Sequence, residues 1–264
     1  MLFRILLMVA PLGMCAQDSF ESSSSFSFQL LAYSSGTNNA LASADALTTP
    51  SSSKKLKWGL ALGNEFGLME LSKVRAAIHL PLANAACYLQ ASMGGKDLQR
   101  QWTTLSGISI RTSKSTSIGV GIGIGSSAFN AQRAVKALLL KIGLVQQLNK
   151  KTTAGAMCFF SAPLTRRWNE AKWIDRIWCI GVGHEIREGL FIGVQWRQFH
   201  YSSSLVSGMA KWDFANSLSA LGGYNSNGQM WLGIQLAGKK ISSVISISSH
   251  SRLGPSAEFQ FFQY

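Results

Sequence analysis

The chain has 264 residues, a formal net charge of +13 and only 14% charged residues. An ordinary soluble domain carries about 25% charge, so the excess of cations sits on an otherwise sparsely charged, glycine- and serine-rich polypeptide. The cations are scattered along the chain rather than gathered on one element, which argues against a nucleic-acid surface.

The first residues, "MLFRILLMVAPLGMCAQ", combine an early Arg4, an apolar run at 5–10 and a small residue at Ala16. This pattern predicts a secretory signal peptide over 1–16, cleaved after Ala16. Met14 occupies the position where a lipid-attachment signal at Cys15 wants a small residue. No later segment reaches the ~18 uninterrupted apolar residues of a spanning helix; the nearest, 137–145, is interrupted by Lys141. Residues 17–56 are rich in Ser, Thr, Asn and Ala and read as a lead-in or plug segment, with a candidate strand at 26–33.

From Lys57 the texture changes to runs of eight to twelve residues in which apolar and small or polar residues alternate, separated by short polar turns. Period-two alternation marks strands whose faces meet different surroundings. Trp58, Leu60 and Leu62 oppose Gly59, Ala61 and Gly63. Val74, Ala76, Ile78 and Leu80 oppose Lys73, Arg75, Ala77 and His79. "STSIGVGIGIGS" at 115–126 contains a GxGxG, but its glycines alternate with β-branched residues and no acid follows over the next helix length, so it reads as a strand and not as a dinucleotide loop. "AVKALLLKIGLVQQL" could form an amphipathic helix; Leu138, Leu140, Ile142 and Leu144 share a face at period two, and Gly143 lowers helix propensity, so a strand is expected. The predicted strands are 57–64, 73–80, 85–93, 102–111, 115–125, 134–147, 152–160, 175–186, 189–200, 209–221, 228–237, 241–250 and 256–264. With 26–33 this makes twelve to fourteen, joined as antiparallel neighbours.

The less apolar face carries Gly, Ser, Gln and Ala rather than the Lys, Glu and Asp of a water-facing sheet. That is what a confined lumen wants, while the opposite face meets lipid. Strands in hydrocarbon must close on themselves, so the expected fold is all-β: an antiparallel transmembrane β-barrel over 57–264. Trp58, Trp102, Trp178, Trp196, Trp212 and Trp231 lie towards run ends, as interfacial girdle residues would. The closing "AEFQFFQY" places Phe262 and Tyr264 where an outer-membrane insertion signal is expected.

The stretch 70–126 resembles the FadL-like barrels, especially the Por-type outer-membrane proteins associated with type IX secretion. A strand reaches Pro81, the next ends at Gly94 or Gly95, a third carries Trp102, Leu105, Gly107, Ile108 and Ile110, and a fourth opens on the "S-x-S-x-G-V" pattern. The tail repeats the likeness with His250, Ser251, Leu253, Gly254, Pro255 and Ser256 before the closing strand. The resemblance spans 57–264. It departs at the N-terminus, where Asp45 is followed by "ALTTPSSS" with no Asn-Pro-Ala element. It implies residence in the outer membrane of a Gram-negative bacterium and two functions. One is a component of a type IX-like secretion system; the alternative is a FadL-like channel for a hydrophobic or anionic small molecule. The partners expected are outer-membrane lipid and lipopolysaccharide, the barrel-insertion machinery, and other secretion components for the first function; no nucleic acid is expected.

Chemistry is sparse. Twelve acids lie mostly near turns or run ends, and only Glu185 and Glu188 are close together, flanking a turn. The four histidines share no metal spacing, and the cysteines left after processing, Cys87, Cys158 and Cys179, form no CxxC. No catalytic residue, metal site or cofactor is expected, and Ser248, Ser249 and His250 make a poor triad. The best functional candidates are cations predicted to face the lumen: Lys73, Arg75, Arg111, Lys141 and Arg197.

Overall fold

The computed structural model describes residues 56–64, 72–95, 99–129, 134–164, 175–199, 204–250 and 254–263. The signal peptide with its cleavage at Ala16, the 17–55 part of the lead-in, the strand at 26–33 and Tyr264 lie outside the described residues.

Fourteen strands form one closed antiparallel barrel. They are β1 (Lys57–Asn64), β2 (Ser72–Pro81), β3 (Ala85–Gly94), β4 (Gln99–Arg111), β5 (Thr116–Phe129), β6 (Val135–Gln147), β7 (Thr152–Pro163), β8 (Asp175–Arg187), β9 (Leu190–Phe199), β10 (Leu205–Ala215), β11 (Leu218–Asn225), β12 (Gln229–Ala237), β13 (Ile241–His250) and β14 (Gly254–Gln263). Each strand pairs with its sequence neighbours, and β1 closes on β14 with Gly59 opposite Phe262 and Asn64 opposite Ala257. No edge is left unpaired. The segment that could have been helical is β6, paired along its length with β5 and β7.

One expected strand is two. The run at 209–221 breaks at a two-residue turn, Asn216-Ser217, between β10 and β11, with a register shift at Asp213/Ala215. The shift puts Ala215 opposite Leu218, so apolar alternation carries on through the reversal and hides it.

The two ends differ. At the end where β1 starts and β14 finishes, the connections are short, from 188–189 to 148–151. They are closed by backbone bonds such as Leu82 N–H to Ala85 O (2.8 Å) and Leu148 N–H to Thr152 O (2.9 Å). Asn149 Oδ1 accepts from the amides of Lys151 and Thr152, both at 2.8 Å, and fixes the β6–β7 turn. Gly189 takes φ 76° in the tight β8–β9 turn, a region open mainly to glycine. At the other end the connections reach 164–174 between β7 and β8 and 65–71 between β1 and β2.

The outward face carries a belt of exposed large apolar residues on every strand but β7. Leu89, Met93, Ile122, Ile180, Val194, Leu232 and Ile247 are all exposed, with Leu232 at 72%. Leaving such a side chain in water forgoes about 1.5–3 kcal/mol each. Several dozen large apolar residues are in this position, so the loss far exceeds the roughly 5–15 kcal/mol by which domains are stable. No helix among the described residues is long and apolar enough to cross a membrane. The apolar surface belongs to strands.

Trp58, Trp102, Trp178, Trp196 and Trp212 lie on this outer face and are exposed. Trp231 does not belong with them. It is 4% exposed, on the inner face, because it has the parity of Gly233 and Gln235 and not of Leu232. Its indole packs against Gly223 on β11, where an added Cβ would fall 2.5 Å from Nε1.

Candidate functional site

The candidate site is the inner face of the barrel. Alternation sends Gly107, Gly119, Gly121, Gly123, Gly125, Gly143, Gly155, Gly181, Gly183 and Gly193 inward on β4–β9, between larger inward residues such as Leu105, Leu139, Lys141, Met157 and Phe159. Gly123 is also required by the sheet itself: a Cβ there would lie 2.1 Å from the Thr104 carbonyl oxygen and 2.9 Å from Leu105 Cα. Gly123 therefore sits within a strand and serves the close approach of β4 to β5, not a phosphate-binding turn.

The remaining inner surface carries apolar clusters, charged groups and neutral polar residues such as Ser109, Gln195, Gln235, Ser242 and Ser246. One buried apolar cluster joins Tyr88, Leu105, Leu139, Phe159 and Ile177. A second joins Phe191, Met209, Leu221, Trp231, Val244 and Phe262 on the opposite side. Phe262 is thus fully buried inside the barrel; the β14 aromatics that face outward are Phe259 and Phe261.

Of the five cations expected in the lumen, Arg75 (5% exposed) and Lys141 (4% exposed) are buried on the inner face. Lys73 and Arg197 are half-buried there, Arg197 with its guanidinium carbon 6.0 Å from the Phe199 ring centroid. Arg111 shares the inward parity but is exposed, at the short-turn mouth. The five are not brought together as one cluster.

Other charged residues join them that the sequence reading passed over. Arg75 Nη2 donates to Glu258 Oε1 at 3.1 Å, with both side chains buried. Arg75 is on β2 and Glu258 on β14, so the pair spans β1, whose inward residues Gly59, Ala61 and Gly63 are small enough to let it pass. Gln260 donates to the same carboxylate oxygen. Glu258 is therefore an inner-face acid in mid-strand and not a run-end residue. Lys211 pairs with Asp213 at 3.1 Å, and Ser219 donates to the same carboxylate. Lys57, His79 and Tyr88 stand side by side in register on β1, β2 and β3, and the row continues through Gly107 and Gly121 to Lys141. The Tyr88 hydroxyl is 2.7 Å from Ser109 Oγ and its ring is 5.1 Å from that of His79. Lys57 shares the parity of Ala61, already read as inward, and Lys211 that of Met209, which the structure places inside; for Lys57 the signal was the alternation itself.

Among the described residues the inner face holds six cations, Lys57, Lys73, Arg75, Lys141, Arg197 and Lys211, against the acids Glu185, Asp213 and Glu258, with Asp175 at an inward register position opposite Ser161. Ser248 is buried inside, whereas Ser249 next to it faces out. His184 lies outside with Nδ1 2.9 Å from Thr152 Oγ1, and Glu185 lies inside. Among the described residues no three metal-ligating groups come together.

No family model matches the chain, and no curated protein matches it in sequence. Solved structures match it in shape. The Pseudomonas putida toluene transporter TodX is similar at TM-score 0.57 and 9% identity, over 94% of this chain and 95% of that one. A Pseudomonas aeruginosa FadL homologue is similar at TM-score 0.57 and 10% identity, over 85% and 92%. A bacterial polysaccharide outer-membrane secretin is similar at TM-score 0.51 and 10% identity, over 80% and 98%. The likeness is one of fold.

Proposed function

We propose that the chain is an outer-membrane β-barrel of a Gram-negative bacterium and acts as a channel for small hydrophobic or anionic molecules, with no catalytic role. One observation carries this reading: a closed barrel that is apolar outside has an inner face that pairs apolar clusters with an excess of buried cations. An apolar belt on closed strands meets the requirement of hydrocarbon. The naming of one structural neighbour as a toluene transporter and of another as a FadL homologue supports a channel over a secretion component. The secretion reading rests on the short motifs around Trp102 and Pro255, and it requires stable partner proteins. On either reading the lipid partners are those of the outer membrane, lipopolysaccharide included, and the barrel-insertion machinery places the chain.

Two measurements test the proposal. Membranes washed in carbonate should retain the chain, and its band on a gel should shift on boiling. Liposomes carrying the folded chain should take up a monoaromatic or an organic anion faster than empty ones. Uptake equal to empty liposomes, with partner proteins co-purifying in fixed ratio, would transfer the function to secretion.

A further inference from the structure

Among the described residues, charge on the outer wall at the end with the longer connections is confined to one arc. Arg100, Lys136 and Arg176 are each the second residue of their strand, on β4, β6 and β8, and all three strands enter from the end with the longer connections. Each shares the outward parity of its neighbour two residues on, Trp102, Leu138 and Trp178, and each is exposed. The equivalent outward positions at that end of β10, β12 and β14 are Val206, Met230 and Pro255; on β3, β5, β7, β9, β11 and β13 they are Met93, Ala128, Ala162, Gln198, Tyr224 and Ser249. Among the described residues, these three are the only cations on the outer wall at this level.

Alternate strands are about 10 Å apart, so the three side chains are spread over about 20 Å along one edge of the apolar belt, adjacent members of the set about 10 Å apart across the wall. Directly beneath them lie Trp102 and Trp178, with Phe160 in edge contact with Trp178 at a centroid distance of 6.4 Å. Aromatic rings sit at the boundary between acyl chain and headgroup. Cations one step beyond that boundary are at phosphate height, where charge-assisted bonds to phosphate oxygens form. Outer-membrane barrels carry short turns on the periplasmic side and long loops outside, so this end faces the outer leaflet.

We propose that Arg100, Lys136 and Arg176 form a binding site for the phosphorylated disaccharide headgroup of lipopolysaccharide on the outer wall of β4–β8, with the acyl chains lying over Trp102, Leu138, Phe160 and Trp178. The site rests on the outer-membrane reading above and extends it to a named surface and lipid.

The test uses the full chain folded in detergent, titrated with bisphosphorylated lipid A and with chemically dephosphorylated lipid A, bound lipid being counted by native mass spectrometry. The unsubstituted chain should bind the phosphorylated lipid at least tenfold more tightly. R100Q/K136Q/R176Q should lose that preference, while K114Q/K150Q/K151Q, which removes as much charge at the short-turn end, should keep it. Equal binding of the two lipids by the unsubstituted chain overturns the site, whether or not the first triple variant folds. An equal loss in both triple variants also overturns it, since attraction would then be general to charge. A chain that carbonate strips from membranes overturns the membrane reading and the site with it; one that is retained but does not discriminate between the lipids overturns the site alone.

Discussion

At the scale of single residues, two glycines make opposite demands. Gly123 is inward on β5 with the Thr104 carbonyl where a Cβ would be, while Gly208, outward on β10, has nothing within 4 Å of that position. Alanine at 123 must push β4 and β5 apart, and overpacking of this kind costs about 1–3 kcal/mol. Alanine at 208 meets open space and should stabilise slightly, by about 0.4–1 kcal/mol, by restricting the unfolded chain. Urea titration of the heat-shifted gel band compares the two; equal stability would mean that the strands at Gly123 are not as close as described. This difference could not be read from sequence, because all the glycines of β5 look alike there. What the sequence did reveal was which way each residue points. Ile118, Val120, Ile122 and Ile124 are exposed as their spacing predicts, and the parity of Leu232 against Trp231 was enough to send that indole inward. The girdle assignment of Trp231 failed because it weighed residue type above position.

Among the elements, the informative relation is between β2 and β14, which meet only because the barrel closes. Arg75 and Glu258 are 183 residues apart, and no spacing rule joins them. A sequence scan therefore sees an unpaired lysine- and arginine-rich lumen and a stray acid near the terminus. Closure in three dimensions converts them into a buried ion pair across β1. Removing one partner of a buried pair strands the other, at about 3 kcal/mol. E258Q should be destabilised by roughly that amount, and R75Q/E258Q by clearly less than the sum of the two single changes. Additive effects in that cycle would show that the pair contributes nothing as a unit. The hairpin at Asn216-Ser217 was hidden for a related reason. A turn that keeps the alternation in phase leaves no mark in a pattern built on alternation, and only the register of β10 with β11 reveals it.

For the molecule as a whole, the inner cations outnumber the inner acids, and the low-dielectric wall keeps their field from being fully screened. If the lumen conducts, the reversal potential in a potassium chloride gradient should show preference for chloride. K141E, or K57E on the same in-register row, should reduce that preference or invert it. Cation preference in the unsubstituted chain would mean that the described face is not what permeating ions meet. The fold class was legible from Lys57 onward because lipid outside and confinement inside impose period two on every strand. What the inner face acts on was not, because that depends on what fourteen inner faces present together, and each strand contributes only four to seven inward residues to that surface.

The small inward residues of β1 let an arginine from the second strand reach a glutamate from the last. During synthesis the guanidinium exists long before its counter-charge does. A polypeptide truncated anywhere ahead of residue 258 would lack that carboxylate at the very place where the wall has to zip shut. The salt bridge thus reports that β14 has docked on β1, and it would set closed barrels apart from open ones by their stability alone.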